Sequence, residues 1–459
     1  MSFPTHIFKA YDIRGLADGE ITEELAYRVG RSFVRLLRQR GVELSGRSLV
    51  VARDMRPTSR LLEAAVERGI ADEGVDVAGI GLASTPLFNF ACTLYPEHAG
   101  GIIVTASHNP AQYNGFKLTL DSGLPIGKDS GMEEIHDLAA ADFPPPAGSL
   151  GRLTKKSVLA DYEDMVFGLV GPGSIRPLKL VVDAGNGMAQ TTLPKILERL
   201  PVTVNYLYLE PDGTFPNHEA NPLKTETLAD LQAAVKEHGA DFGFALDGDA
   251  DRIGLVDETG AVVDASYVAA LIGLEVLRRH PGSVMLYDLR SSQIVREVWE
   301  AAGARPEMCR VGHAFIKRLL PEKKAVFASE LSLHLYYSDC RNLECSDLSL
   351  LYVLQLLSRS GQPLSSLVRP LRKYFHSGEI NFTAPDPAAV IRAVESAYRD
   401  SALEVSHLDG LWLKFDWGWL NLRPSNTEPV VRLNLEARTN EIMRAKIEEV
   451  SQVLFQYVR

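Results

Sequence analysis

Phe242-Gly-Phe-Ala-Leu246-Asp247-Gly248-Asp249-Ala250-Asp251-Arg252 is an apolar run that ends in three carboxylates at alternate positions. Five residues without a polar side chain suit a strand covered on both faces, as in a parallel sheet flanked by helices. Charged groups of this kind stay out of an unpaired apolar interior, so they mark a loop at the end of the strand. The arrangement recurs. Leu178-Lys-Leu-Val-Val-Asp183 runs into Ala-Gly185-Asn186-Gly187 before a helical segment, and Gly101-Ile-Ile-Val104 runs into Thr-Ala-Ser107-His108-Asn109-Pro110. Val284-Met-Leu-Tyr-Asp288 and Ala325-Val-Phe327 form a third set. Alternating strands and helices of this kind predict an α/β protein whose three similar, mixed-sheet domains bring their polar loops round a central cleft.

The flanking sequence fits this plan. Thr22-Glu-Glu opens a helix with a capping hydroxyl and acids in the first turn, Leu25, Val29, Phe33 and Leu36 share one face, and Gly41 ends it. Strands are expected at 49–52 and 75–80, with a helix over 61–70. A chain of 459 residues exceeds one core and suggests roughly three or four domains. Phe143-Pro-Pro-Pro-Ala-Gly-Ser149 continues neither helix nor ladder and places a boundary there. The expected domains are 1–148, 149–252, 253–368 and 369–459. The last of these differs, with paired strand patterns at 411–415, 419–422 and 430–435 before a terminal helix, which predicts an α+β domain.

Bulk composition narrows the function. The chain has 46% hydrophobic and 23% charged residues, the balance of a soluble globular enzyme. A net charge of −11 argues against broad nucleic-acid binding while leaving room for a local basic pocket. Cys92, Cys309, Cys340 and Cys345 show no CxxC pair, so neither a zinc site nor a disulfide framework is expected. No apolar stretch approaches the ~20 residues of a membrane span, and MSFPTHIFKA lacks the pattern of a leader, so a cytoplasmic protein without membrane contact is expected.

Asp247, Asp249 and Asp251 repel one another unless a cation joins them, and an all-oxygen set points to a hard divalent ion, Mg²⁺ above all. An EF-hand is the nearest rival, since Glu258 stands twelfth from Asp247. It fails because Arg252 occupies the position of the required glycine and the flanks are strand-like. Arg423-Pro-Ser425-Asn426-Thr427-Glu-Pro429 gathers a guanidinium, hydroxyls and an amide in one loop, which suits a phosphate, although the same residues also build ordinary turns. Arg432 adds a second positive charge there or pairs with a surface glutamate. Three further stretches stay open on their residues alone. Ser107 is a nucleophile at a rigid elbow or part of a polar turn. Arg14, in Phe8-Lys9-Ala-Tyr11-Asp12-Ile-Arg14-Gly15, meets an anion or enters a helix. Glu330, Ser332 and His334 face sugar hydroxyls or form the polar side of a strand.

Taken in order, Thr105-Ala-Ser-His-Asn-Pro110, Asp247-Gly-Asp-Ala-Asp-Arg252 and Arg423-Pro-Ser-Asn-Thr-Glu-Pro429 resemble the phosphoserine, metal and phosphate loops of the α-D-phosphohexomutase superfamily, within it the bacterial phosphomannomutase/phosphoglucomutase group. The resemblance spans the chain. It implies four domains, the last similar to the TATA-binding-protein fold, and a phosphoserine at Ser107 whose oxygen completes the shell of Mg²⁺ on Asp247, Asp249 and Asp251. It implies that Tyr11, Arg14 and Arg252 face the substrate, that a loop carrying His313 and Lys317 meets it, and that Glu330, Ser332 and His334 contact the sugar. Arg423, Ser425, Asn426 and Thr427 would hold the phosphate that is not reacting, and His108 or Lys117 would handle the hydroxyl proton. The implied reaction interconverts mannose 6-phosphate and mannose 1-phosphate, with a hexose 1,6-bisphosphate as intermediate and activator, in a monomer or weak homodimer. A phosphoglucomutase, a metal-dependent sugar-phosphate hydrolase and a noncatalytic phosphosugar-binding protein are the alternatives. One departure stands out: where relatives carry Gly-Glu-Met-Ser-Gly/Ala-His, this chain has Ser329-Glu-Leu-Ser-Leu333-His334, so if the backbone at 329 or 333 needs φ > 0 or close approach to the ligand, the loop must shift.

Overall fold

The structure is a computed structural model and describes residues 3–146, 148–424 and 430–455. Three of its four sheets share one four-strand plan. In the first, Ser48–Arg53 lies between Asp76–Leu82 and His98–Val104, both parallel to it, and the chain then turns back into antiparallel Tyr113–Leu120. In the second, Leu178–Asp183 lies between Val202–Leu207 and Phe242–Leu246, and Ile253–Asp257 returns antiparallel. In the third, Val284–Asp288 lies between Arg305–Cys309 and Ala325–Ser329, and Leu335–Tyr337 returns antiparallel. The polar loops at 105–110, 247–252 and 329–334 are thus the same feature three times, the turn after the third strand of each plan. Open α/β sheets place ligand sites outside the carboxyl ends of their parallel strands.

Local sequence explains the elements. Thr22 Oγ1 accepts a hydrogen bond from the Leu25 N–H at 3.2 Å and starts the helix Glu23–Gln39, and Gly41 at φ +73° takes the chain out of it. The predicted helix at 61–70 is Ser59–Asp72, and the predicted strand at 75–80 is Asp76–Leu82. Two expected boundaries are corrected. A cut at 252/253 separates Phe242–Leu246 from Ile253–Asp257, which are hydrogen-bonded neighbours in one sheet, so that sheet runs on to Val262–Val263. A cut at 148/149 removes Leu153–Lys155, which pairs in parallel with Asp76–Leu82 in the first sheet. In both places the local break in sequence lies within one ladder. The stretch expected as a substrate loop at 312–317 is also different, because His313 already begins the helix His313–Lys323.

The fourth sheet is antiparallel. Val430–Ala437 pairs with Gly418–Pro424 on one side and with Phe375–His376 and Ile380–Thr383 on the other, and the helices Pro387–Tyr398 and Asn440–Leu454 pack on the same apolar core. One continuous core joins the first three domains, running from Val50 and Ile103 through Leu180 and Phe244 to Phe327 and Leu350. The fourth keeps a core of its own around Leu413, Leu420 and Val431, tied to the third by a small cluster of Leu289, Trp412 and Trp419. Among the described residues no helix is long and apolar enough to cross a membrane.

Candidate active site

Ser107 lies just beyond the strand His98–Val104, in the left-handed conformation at φ +50° and almost fully buried. A side chain in that region costs on the order of 1 kcal/mol, so something must hold it. Arg56 does so. Its guanidinium donates to the carbonyls of Ser107 at 2.9 Å, Asn109 at 2.6 Å, Pro110 at 2.8 Å and Tyr113 at 2.9 Å, and its Nε–H donates to Asp54 at 3.1 Å. The Ser107 hydroxyl is left pointing at the second domain, with Oγ 3.0 Å from Asp247 Oδ2 and 3.1 Å from His108 Nδ1. Gly248 permits this approach, because a Cβ there would stand 2.5 Å from the Ser107 carbonyl oxygen.

Asp247, Asp249 and Asp251 offer oxygen atoms within 4.8 Å of one another, all buried. Thr85, at the start of the helix Thr85–Leu94, fastens the loop to the first domain. Its hydroxyl donates to Asp249 Oδ2 at 2.6 Å and its N–H to the Asp249 carbonyl at 2.8 Å. Lys117 Nζ lies between Asp249 at 2.6 Å and Asp251 at 2.8 Å. Asp249 Oδ1 and Asp251 Oδ1 are buried without a hydrogen-bond partner among the described residues. Burial, then Asp251 and Asp249, push the Asp247 carboxyl well above its ordinary range. Burial opposes the charge on Lys117, but the two aspartates outweigh it and hold the ammonium above its usual range. An Asp249 oxygen without a partner among the described residues, an Asp251 oxygen met by His334 at 3.4 Å and a third carboxylate that favours its proton make an all-oxygen donor set of the kind that fits a hard divalent cation.

All four domains wall one cavity of about 700 Å³. The first supplies Tyr11, Arg14, Ser107 and Lys117, the second Asp251 and Arg252, the third His313, Lys317 and His334, and the fourth Arg423. Asp247 and Asp249 are fully buried, and His108, Glu330 and Ser332 do not line the cavity. Ser425, Asn426 and Thr427 lie outside the described residues. Burial, with Arg252 and Arg14, keeps the His108 imidazole far below its usual range and hence neutral. Glu330 accepts from the Gly312 N–H at 2.9 Å and the Tyr336 hydroxyl at 2.5 Å, so it braces the turn before the His313 helix. His334 lies 3.4 Å from Asp251 and 3.4 Å from Glu330, and although burial and Arg252 disfavour its charge, these two carboxylates raise it to about 9. Lys317 is paired with buried Glu344 at 2.7 Å, and the Tyr11 ring meets His313 edge-on at 4.9 Å.

Models of phosphoglucomutase/phosphomannomutase alpha/beta/alpha domains I, II and III match residues 5–144, 166–260 and 264–374, and that of the C-terminal domain matches 379–453. The chain belongs to the phosphoglucomutase/phosphomannomutase family. A phosphomannomutase of Salmonella montevideo is 40% identical over 457 residues, 97% of this chain and 98% of that one. The phosphohexose mutases of Xanthomonas campestris pv. campestris are 38% identical over 453 residues, 97% and 98% of the two chains. A crystal structure of a phosphoglucomutase/phosphomannomutase family protein from Burkholderia thailandensis superposes with a TM-score of 0.90 at 32% identity, covering 98% of this chain and 97% of that one.

In this phosphohexomutase the unusual Leu333 does sit in the left-handed region, at φ +68°, and is buried. Of the two replaced positions, 329 and 333, it is 333 that takes a positive φ. The turn tolerates it because the Leu333 N–H donates to the Glu330 carbonyl at 3.0 Å and Leu331 N–H to Asp288 at 2.8 Å. The alternative of a strand through Glu330 and His334 is overturned, since these residues form the turn between Ala325–Ser329 and Leu335–Tyr337. Sequence reasoning passed over Arg56, Thr85 and Asp54. A signal existed: Asp54-Met-Arg56, Asp183-Ala-Gly185 and Asp288-Leu-Arg290 each end the first strand of a unit with an aspartate that caps the N–H two residues on, at 3.0, 2.9 and 2.8 Å.

Proposed function

We propose that this mutase interconverts mannose 6-phosphate and mannose 1-phosphate, with the glucose phosphates as secondary substrates. The single observation that carries the reading is the Ser107 hydroxyl 3.0 Å from a buried aspartate cluster, in a cavity that Arg423 of the fourth domain also lines. Asp247, Asp249 and Asp251, with the phosphorylated Ser107, would hold a magnesium ion. When bound, magnesium supplies positive charge that offsets the charge on the phosphoryl group in transfer.

The protein's own groups divide the remaining work. Arg56 keeps Ser107 extended toward the cavity, so little reorganisation is needed at the moment of transfer. His108 or Lys117 handles the sugar hydroxyl proton; Lys117 lines the cavity, held charged by Asp249 and Asp251, and His108 lies beside the Ser107 hydroxyl. Arg14, Arg252 and Lys317 face the sugar phosphate, and Arg423 grips the phosphate not in reaction. Each half-reaction uses one pose of a hexose 1,6-bisphosphate, which also serves to phosphorylate Ser107 from outside. The reading places the protein in the cytoplasm with its substrates, as a monomer or weak homodimer.

Purified protein assayed with mannose 1-phosphate, glucose 1-phosphate and glucosamine 6-phosphate, each with and without Mg²⁺ and a hexose bisphosphate, tests it. Mannose turnover dependent on both additions is expected. Release of inorganic phosphate without bisphosphate dependence would make the protein a hydrolase instead. Absence of labelled phosphate from a Ser107 peptide during turnover would end the phosphoserine account.

A further inference from the structure

Arg423 and Arg432 are register partners on neighbouring strands, so two guanidinium groups stand directly across from each other on one face of the fourth sheet. Like charges in that relation destabilise a ladder unless an anion separates them. Glu379 provides the anion. One carboxylate oxygen lies 3.2 Å from Arg423 Nη2 and the other 3.1 Å from Arg432 Nη1. The third domain adds Arg290, whose Nη1 is 4.0 Å from the same carboxylate and whose Nη2 is held by Asp288 at 2.6 Å. Arg423 Nε is buried without a hydrogen-bond partner among the described residues, so a carboxylate with two oxygens leaves this donor unused. Both arginines line the main cavity.

We propose that Glu379 is an internal counter-anion that competes with the substrate phosphate for Arg423 and Arg432, and thereby sets how readily the clamp lets its phosphate go. The inference rests on the reading of this wall as a phosphate site. A phosphate dianion brings more oxygens and more charge than the carboxylate, so it displaces Glu379 from the guanidiniums. Release is then assisted, because the arginines pass back to Glu379 rather than to bare repulsion. Such release is needed in every turnover, since the bisphosphate must present its other phosphate to Ser107. Glu379 follows Gly378, at φ +68°, between two short strands on the edge of Val430–Ala437, and so stands where the chain passes from the third domain to the fourth. Glu379 is a positioning residue: it acts on the phosphate through the arginines it holds.

The test uses the whole protein carrying Glu379→Gln, with Glu379→Asp as a second variant that keeps the charge and shortens its reach. Binding of inorganic phosphate and of mannose 1-phosphate is measured by calorimetry, and turnover is compared with a single transfer from phosphorylated Ser107. Glu379→Gln is expected to bind phosphate about tenfold more tightly and to lose about tenfold in kcat. Its single transfer should stay within about twofold of the unmodified protein while hexose bisphosphate accumulates. Glu379→Asp falls between the two, and by itself tests the same direction if Glu379→Gln does not fold. Unchanged or weaker phosphate binding in the variants would overturn the inference, as would equal losses in the single transfer and in turnover. If the unmodified protein binds no mannose 1-phosphate, the phosphosugar reading fails; if it binds and the variants bind no better, only the role of Glu379 fails.

Discussion

Arg56 shows how much of this site depends on one side chain that does not itself line the cavity. It satisfies four carbonyls in the turn that carries Ser107 and neutralises Asp54, which is itself buried. Arg56→Ala leaves an unpaired buried carboxylate, so thermal or urea melts should show a loss of roughly 3 to 5 kcal/mol. Arg56→Lys retains charge but not the fork, and should recover stability in part while Ser107 transfers phosphate at least tenfold more slowly. Ser329 makes the opposite case. Its hydroxyl is fully buried with no hydrogen-bond partner among the described residues, so Ser329→Ala is expected to stabilise the protein by about 1 kcal/mol in the same melts. The departure from the family's usual small residue at 329 therefore costs stability locally, and 333 carries backbone strain beside it.

At the scale of elements, the metal loop and the joint between the third and fourth domains make separate predictions. If Asp247, Asp249 and Asp251 hold magnesium, the ion binds the folded state alone, and saturating Mg²⁺ at a hundred times its Kd should add about 2.7 kcal/mol in urea melts. A chelator removes that gain, and Asp249→Asn should lose most of it. The joint should respond to pH. Glu436, on the strand Val430–Ala437, accepts from the Gln293 N–H that begins a third-domain helix at 2.9 Å and from Trp419 Nε1 at 2.9 Å. Burial is the main cause that raises its carboxyl from 4.5 to about 7. Between those values the folded state binds more protons than the unfolded one, so stability falls as pH rises through this window and levels off above about 7. The loss amounts to roughly 3 kcal/mol, and Glu436→Gln should flatten denaturant-derived stability between acidic and neutral pH by about that amount.

For the whole molecule, the division of the cores matters most. One apolar core runs through the first three domains, which also have cores of their own, while the fourth is joined through Leu289, Trp412, Trp419 and a few polar contacts such as the Val311 N–H to Asp409 at 3.1 Å. A body with its own core and a small joint is free to open and close on the cavity as a unit. Trp412→Ala removes one of the two stacked rings at that joint. Calorimetry of this variant should show the fourth domain melting separately and first. Scattering should report a larger radius, and turnover should fall about tenfold while phosphorylation of Ser107 by bisphosphate persists. A single unsplit transition with the turnover of the unmodified protein would mean that the cluster does not dock the domain.

Periodic apolar runs, capping residues and the clustering of acids are local properties, so the α/β class, the fourth domain's different character, and the turns that carry Ser107 and Asp247 to Asp251 were legible in the sequence. The resemblance to a family supplied roles for them. Domain limits at 148 and 252 were not legible, because a strand's partner across a ladder is fixed by hydrogen bonds between segments that proline or charge content does not reveal. Nor was the tie of Arg56 to four carbonyls, the place of Lys117 between two aspartates, or the sharing of Glu379 by Arg423 and Arg432. Those depend on which buried charges come within hydrogen-bond reach once sheets have packed, and the cost of leaving any of them unpaired is what selects the arrangement.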